Sequence, residues 1–186
     1  MKELSLNILD ILENSVHAGA TRIHLLLQEF LEKKDFLGFT IVDNGKGMDQ
    51  AMVDSLFDPF TTTSSTKTVG LGLPLLKQEA EMCDGGAQIQ SKPGIGTTVS
   101  FWFQHTHIDR PPLGDIVSTV LMMYAVHSDI EFIFTHEVED RTFEVSTTDL
   151  KEVFQDVPIN NPTILQGIES FLLENKKQLY GGKQYG

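Results

Sequence analysis

The chain has a single cysteine, Cys83, which excludes an internal disulfide framework and a cysteine-based metal site. Basic residues are scarce: 14 Lys and Arg stand against 26 Asp and Glu, a formal charge of −12. The deficit runs through both halves of the chain, so no broad basic face offers itself to nucleic-acid phosphates. Long apolar runs are missing too. The strongest, over residues 117–126, is broken by Ser118 and Thr119 and falls short of the roughly 20 residues a membrane span needs. The opening MKELSLNILD carries acids within its apolar stretch and does not read as a signal peptide. A cytoplasmic protein with neither nucleic acid nor membrane among its partners is the expectation. An acidic chain can still hold an anionic ligand, provided that backbone N–H groups, a metal ion and one or two lysines supply the positive field.

What is present suffices for a globular fold: 40% of the 186 residues are hydrophobic and 22% charged. Apolar positions over 4–16 predict a largely buried helix, ended by Gly19. Alternation predicts strands over 22–30 and 36–42, joined by the charged turn EKKD. Asp49 is placed to cap a short helix reaching about Phe57. A polar stretch over 58–72 reads as a loop of the length usually given to lids. A helix over 73–83 follows, with Pro74 in its first turn, and then a hairpin of strands 87–91 and 97–103 around KPGIG. HTHIDRPP, at 105–112, stops any regular element and suggests a boundary. Beyond it lie a predicted helix (113–127), a hairpin turning at Glu139 and Asp140, helices over 148–155 and 161–179, and a tail at 181–186.

Four segments carry chemistry. Asp10 and Asn14, four apart on the first helix, share a face, an arrangement suited to water activation beside an oxygen-ligated divalent ion. The loop DNGKGM, from Asp43 to Met48, follows an apolar strand. A carboxylate there can accept a hydrogen bond from an exocyclic amine, and Gly45 and Gly47 let the backbone approach a flat ring. TTTSSTKTVGLG leads into a helix whose N-terminus favours phosphate, with Lys67 as the nearest cation. GIGTT, ending in Thr97 and Thr98, sits at the hairpin turn. Each segment alone admits a plainer reading: polar helix positions, an ordinary D-N-G turn, glycines before a helix, a tight turn.

In this order and spacing the four segments resemble the GHKL ATPases: sensor histidine kinases, gyrase, the large heat-shock chaperone and the mismatch-repair ATPases. The resemblance covers about residues 3–103. It implies an α/β two-layer sandwich, a mixed sheet covered by helices, with ATP and Mg2+ as ligands. By position, Asn14 matches the magnesium-binding asparagine and Asp43 the adenine-reading aspartate. Gly45, Gly47 and Met48 match the loop that shapes the adenine pocket. Phe57 and Phe60 match the phenylalanine motif of the histidine kinases, and Gly70, Leu71 and Gly72 the lid's glycine box. Thr97 matches the threonine that reaches adenine. The family's general base is Glu four residues before the asparagine; here that position holds Asp10, one methylene shorter. Glu13 points about 100° away from Asn14 on an ideal helix.

The lid-like SSTKTVGLGLPLLK and GIGTTVSFWF look most like histidine kinase catalytic domains, whereas ENSVHAGATRI looks more like the mismatch-repair branch. The acidity and the short remainder favour the kinase-like branch. The expectations are an ATP-binding domain at 1–104 and a small α/β extension at 105–180. The chain then acts as an ATP-dependent kinase on a partner protein's His or Ser, with Asp10 and Lys67 as catalytic residues. The alternatives are an ATP-switched binding module and a mismatch-repair-like ATPase. His105, His107 and His136 are read as surface or interface histidines rather than a metal site, and His136 as an ordinary strand histidine rather than a phosphoacceptor. Cys83 is read as a small core residue. The exposed side of the Met122-containing helix allows a partner surface or a homodimer.

Overall fold

The computed structural model describes residues 3–57 and 72–183. The chain alternates α1 (Leu4–His17), β1 (Arg22–Phe30), β2 (Phe36–Asp43), α2 (Gln50–Ser55), α3 (Gly72–Met82), β3 (Gly86–Lys92) and β4 (Gly96–Gln104). It continues through α4 (Ile116–Val126), β5 (Glu131–Val138), β6 (Arg141–Ser146), α5 (Thr147–Phe154) and α6 (Pro162–Tyr180). One six-stranded sheet runs β3-β4-β2-β1-β5-β6. It is mixed: β1 and β5 are parallel, and the other four pairings are antiparallel.

Strand alternation decides which face is covered. Ile23, Leu25 and Leu27 of β1 and Leu37, Phe39 and Ile41 of β2 point into one core with Val99, Phe101 and Phe103 of β4. Helix α1 supplies Leu4, Ile8 and Leu12 to that core, and α4 supplies Val120, Met123 and Tyr124. The opposite face carries Arg22, His24, Val42 and Thr98, all at least partly open to solvent. This is the two-layer α/β sandwich the resemblance implies.

Local chemistry sets most boundaries. The Asp49 carboxylate accepts from Met52 N at 2.8 Å and caps α2 as expected. Ser146 and Asp149 form a reciprocal capping box on α5, and Pro162 opens α6 behind Asn161. The expected helix at 113–127 begins later, at Ile116 behind the Asp115 cap. The carbonyls of Pro112 and Leu113 accept instead from Leu4 N and Ser5 N, which holds that stretch non-helical against the start of α1. Residues 105–112 are irregular, but the segment after them returns to the sheet, where β5 pairs with β1 from Arg22↔Glu131 to Glu29↔Val138. Among the described residues, no helix is long and apolar enough to cross a membrane.

The histidines depart from expectation. His105 and His136 are not surface residues; they are 5% and 1% exposed. Both face Glu29, itself 2% exposed, at the inward position after Ile23, Leu25 and Leu27. His136 Nε2 lies 2.8 Å from Glu29 Oε1, and His105 Nε2 3.4 Å from Oε2. The Tyr180 hydroxyl of α6 donates to Oε1 at 2.7 Å. A buried acid needs such partners, because an unpaired charge there would be costly. His107 is half-buried and accepts from Asp109 N through Nδ1. Among the described residues, no three His, Cys, Asp or Glu are grouped to hold a metal ion. Cys83 is buried in the core as expected.

Candidate nucleotide-binding site

A cavity of about 190 Å³ opens between α1, the loop after β2, α2 and the β3–β4 hairpin. Its floor carries the Asp43 carboxylate, which the end of β2 delivers on the inward face of the sheet. Both carboxylate oxygens are engaged: Oδ2 accepts from Ser15 Oγ at 2.7 Å, and Oδ1 from Gly45 N at 2.8 Å. An acid held by two donors, at 9% exposure, is fixed in rotamer and stays an acceptor toward the cavity. Ile11, Met48, Leu56, Ile89 and Val99 line the walls, so the space is mostly apolar with one oriented carboxylate.

The loop after Asp43 is clamped from two sides. Lys46 N donates to Ala18 O at the end of α1, and Gly94 N donates to Lys46 O. Met48 N donates to Ser91 Oγ at 2.8 Å, and Ser91 Oγ in turn lies 2.8 Å from Thr97 Oγ1. Gly47 has φ +66, and a Cβ on it would overlap the Lys92 carbonyl. Gly45 is close-packed against Ala18 and Asp43, where a Cβ would sit 3.0 Å from its neighbours. Gly47→Ala is therefore expected to displace the loop from the hairpin and weaken ligand binding at this cavity by about tenfold or more. Titration of the variant with ADP measures this; unchanged affinity would mean that the loop geometry does not shape the site.

The structure brings Asn14, Asp43, Gly47, Met48 and Thr97 together around this cavity, with Gly45 behind Asp43. Asp10 and Asn14 are exposed one turn apart on α1, and Asn14 lines the cavity while Asp10 does not. Glu13 is turned to α4, where its Oε1 lies 2.8 Å from His127 Nε2. Phe57 packs edge-on against Phe101, at 6.4 Å between ring centroids, and Lys77 Nζ sits 4.6 Å over its ring. Gly72 is the first residue of α3. Phe60, Lys67, Gly70 and Leu71 lie outside the described residues.

Two further residues belong to the site and were not singled out from the sequence. Ser15 orients Asp43, and Ser91 joins the Asp43 loop to Thr97. Ser15 had a signal: it is a polar residue on the helix face of Ile8, Ile11 and Leu12, where burial demands a partner. Ser91 had none beyond strand parity. Chemically, the arrangement suits a flat heterocycle bearing an exocyclic amine. The amide oxygen of Asn14, at the cavity's edge, is of the kind that suits a hard divalent cation.

Residues 2–107 match the family of histidine kinase-, DNA gyrase B- and HSP90-like ATPases. The chain is similar to the signal transduction histidine-protein kinase AtoS of Escherichia coli (strain K12), 35% identical over 91 residues, 49% of this chain and 15% of that one. It is also similar to sporulation kinase D of Bacillus subtilis (strain 168), 37% identical over 101 residues, 54% of this chain and 19% of that one. The sensor histidine kinase YvrG of the same strain is 32% identical over 101 residues, 51% of this chain and 17% of that one. The matched segment thus spans under a fifth of each kinase. Among solved structures, the N-terminal domain of a DNA repair protein superposes with a TM-score of 0.57 at 13% identity. It covers 86% of this chain and 59% of that one. That likeness is one of fold.

Proposed function

The chain belongs to the histidine kinase-, DNA gyrase B- and HSP90-like ATPases and carries their ATP-binding domain over residues 2–107; from that premise we propose that it is a magnesium- and ATP-dependent kinase-like protein acting on a partner protein in cytoplasmic signal transduction. The observation that carries this reading is the Asp43 carboxylate, fixed by Ser15 and Gly45 N at the floor of an apolar cavity. In this reading Asp43 accepts the adenine amine. Thr97 supports that contact from the hairpin side, and Gly45, Gly47 and Met48 hold the ring's edge. Asn14 would hold magnesium, which when bound neutralises phosphate charge. Asp10 would orient the attacking group, and Lys67, Gly70, Leu71 and Gly72 would meet the phosphates, with Phe57 and Phe60 as the phenylalanines of the kinase-like motif. Residues 1–104 form the nucleotide unit, and 105–180 form an extension that carries the state of the site to the partner.

A second reading, an ATP-switched binding module with weak catalysis, has its own support. Asp10 is shorter than the family's Glu, and the His127–Glu13 contact ties α4 of the extension to the helix that carries Asn14. Radiolabelled ATP turnover separates the two. A kinase transfers label to a histidine or serine of an added partner, and Asn14→Ala lowers the rate at least about tenfold. Intact nucleotide binding with no label on any partner would overturn the kinase reading and leave the switch.

A further inference from the structure

The uncovered face of the sheet carries a second cavity, of about 600 Å³, on the opposite side from the candidate nucleotide site. Lys92 and Arg22 stand at its two sides. They share one row across the sheet, because Lys92 pairs with Gly96, Thr97 with Asp43, and Asp43 with Ile23. Between them the row offers Asn44 and Gly96, which has no side chain, so the backbone lies low there. Gly96 has φ +140, and a Cβ on it would overlap the Asp43 carbonyl. The next row on this face presents Thr98, Val42 and His24, with Val42 43% exposed. The result is a trough with Val42 exposed on a mostly polar floor and a cation at each end.

Its charge runs against that of the molecule. The chain carries −12, yet Arg22 and Lys92 are the formally charged side chains that border the trough, apart from Asp43. The Asp43 carboxylate is turned to the other face, where it binds Ser15 and Gly45 N. Among the described residues, the Arg22 guanidinium and the Lys92 ammonium have no hydrogen-bond or ion-pair partner. Burial, above all, holds the His24 imidazole below its ordinary value, so it adds no charge at neutral pH. Glu131, the β5 neighbour of Arg22 in the same row, and Glu144, whose charge acts on His24, lie outside the lining, so the attraction for an acidic partner is confined to the trough between Arg22 and Lys92.

We propose that this trough docks an extended acidic segment of a partner protein, with one acid on Arg22, one on Lys92 and an aliphatic side chain between them. Three strand spacings of about 4.8 Å separate the row's two ends, about 14 Å. An extended chain advances about 3.3 Å per residue and returns to the same side every second residue. The segment is therefore of the form Glu-x-Leu-x-Glu: acids at i and i+4 face the two cations, and Leu at i+2 faces Val42. This inference goes beyond the nucleotide reading and does not depend on it. A seated segment would, however, lie on the strands whose other face presents Asp43 and Thr97.

The test uses the whole chain and a fluorescein-labelled peptide, Ser-Glu-Ser-Leu-Ser-Glu-Ser, read by anisotropy. Wild type is expected to bind it, several-fold more weakly at about 300 mM salt than at about 50 mM. Arg22→Glu and Lys92→Glu should each weaken binding about tenfold, since each turns an attraction into a repulsion. Replacing both peptide acids by Gln should abolish it. ADP titration and thermal melting report the fold of the variants, separately from the docking result. Absence of peptide binding, or binding insensitive to both charge reversals, would overturn the proposal. So would a single-stranded oligonucleotide or phosphatidylserine vesicles that bind through Arg22 and Lys92 in place of the peptide, identifying a different occupant.

Discussion

Asp43→Asn is expected to weaken ADP binding by about a hundredfold or more while leaving the fold in place. The carboxylate has two acceptor oxygens and both are in use inside the protein, one from Ser15 Oγ and one from Gly45 N. An amide has one acceptor oxygen and one donor group. Placed here, its NH2 must face Gly45 N, Ser15 Oγ or the adenine amine. Ser15 can rotate its hydroxyl to accept, but the ligand amine then finds either the NH2, a second donor, or an uncharged oxygen already taken by Gly45 N. A buried donor left against a donor costs about 3 kcal/mol when the lost partner was charged, which corresponds to roughly two decades in affinity. Ser15→Ala removes one of the two donors and leaves the acceptor free, so its effect is smaller, about tenfold or less. Calorimetric titration of both variants with ADP checks the order; equal losses, or none, would place the base elsewhere in the cavity.

The largest effect on stability is expected at Glu29. Burial alone would raise its carboxyl, but hydrogen bonds from His105 and His136, the charge at His136 and a hydrogen bond from Tyr180 outweigh it and hold the carboxyl down at about 2. Its ordinary value is 4.5. A carboxyl depressed on folding contributes stability that is fully present above the unfolded value and lost as pH falls toward the folded one. The window is therefore pH 4.5 down to about 2, and the contribution above it is about 3 kcal/mol. Glu29→Ala removes the shared acceptor of two buried imidazoles and a phenol, so a loss of about 3–5 kcal/mol is expected at pH 7. For a chain of this size that lowers the melting temperature by roughly 10–15 °C. Glu29→Gln keeps the shape and removes the charge. Its deficit against wild type in urea unfolding should shrink between about pH 4.5 and pH 2; a constant deficit would mean that the ionised carboxylate adds nothing.

That cluster also shows where sequence reasoning stops. The strands were legible because one face is covered: Ile23, Leu25 and Leu27 fall at alternate positions, and the strand Arg22–Phe30 follows from them. By the same parity Glu29 faces inward, and His136 follows Phe132 and Phe134 on the inner side of β5. Parity marks both as buried, yet nothing local says that they meet. Their contact depends on β5 settling parallel beside β1, a pairing more than 100 residues apart that no turn dictates. The Asp49 cap and the Glu139–Asp140 turn were legible because each is a local event. Asn14, Asp43 and Thr97 were singled out by motif order, and the structure places all three at one cavity. Ser15 was marked only by its place on the apolar face of α1, which does not name its partner, and Ser91, half-buried on its strand, had no mark beyond parity. The trough between Arg22 and Lys92 escaped because it too depends on strand pairing: two strands lie between two residues 70 apart in the chain.

The decisive measurement is calorimetric titration of the wild-type chain, in magnesium, with ADP, a non-hydrolysable ATP analogue and GTP. Asp43 as an acceptor for an exocyclic amine predicts saturable binding of both adenine nucleotides and none of GTP, whose carbonyl at the corresponding ring position would face the carboxylate. Equal binding of GTP, or no binding of any adenine nucleotide, would contradict the assignment of this cavity as an adenine site.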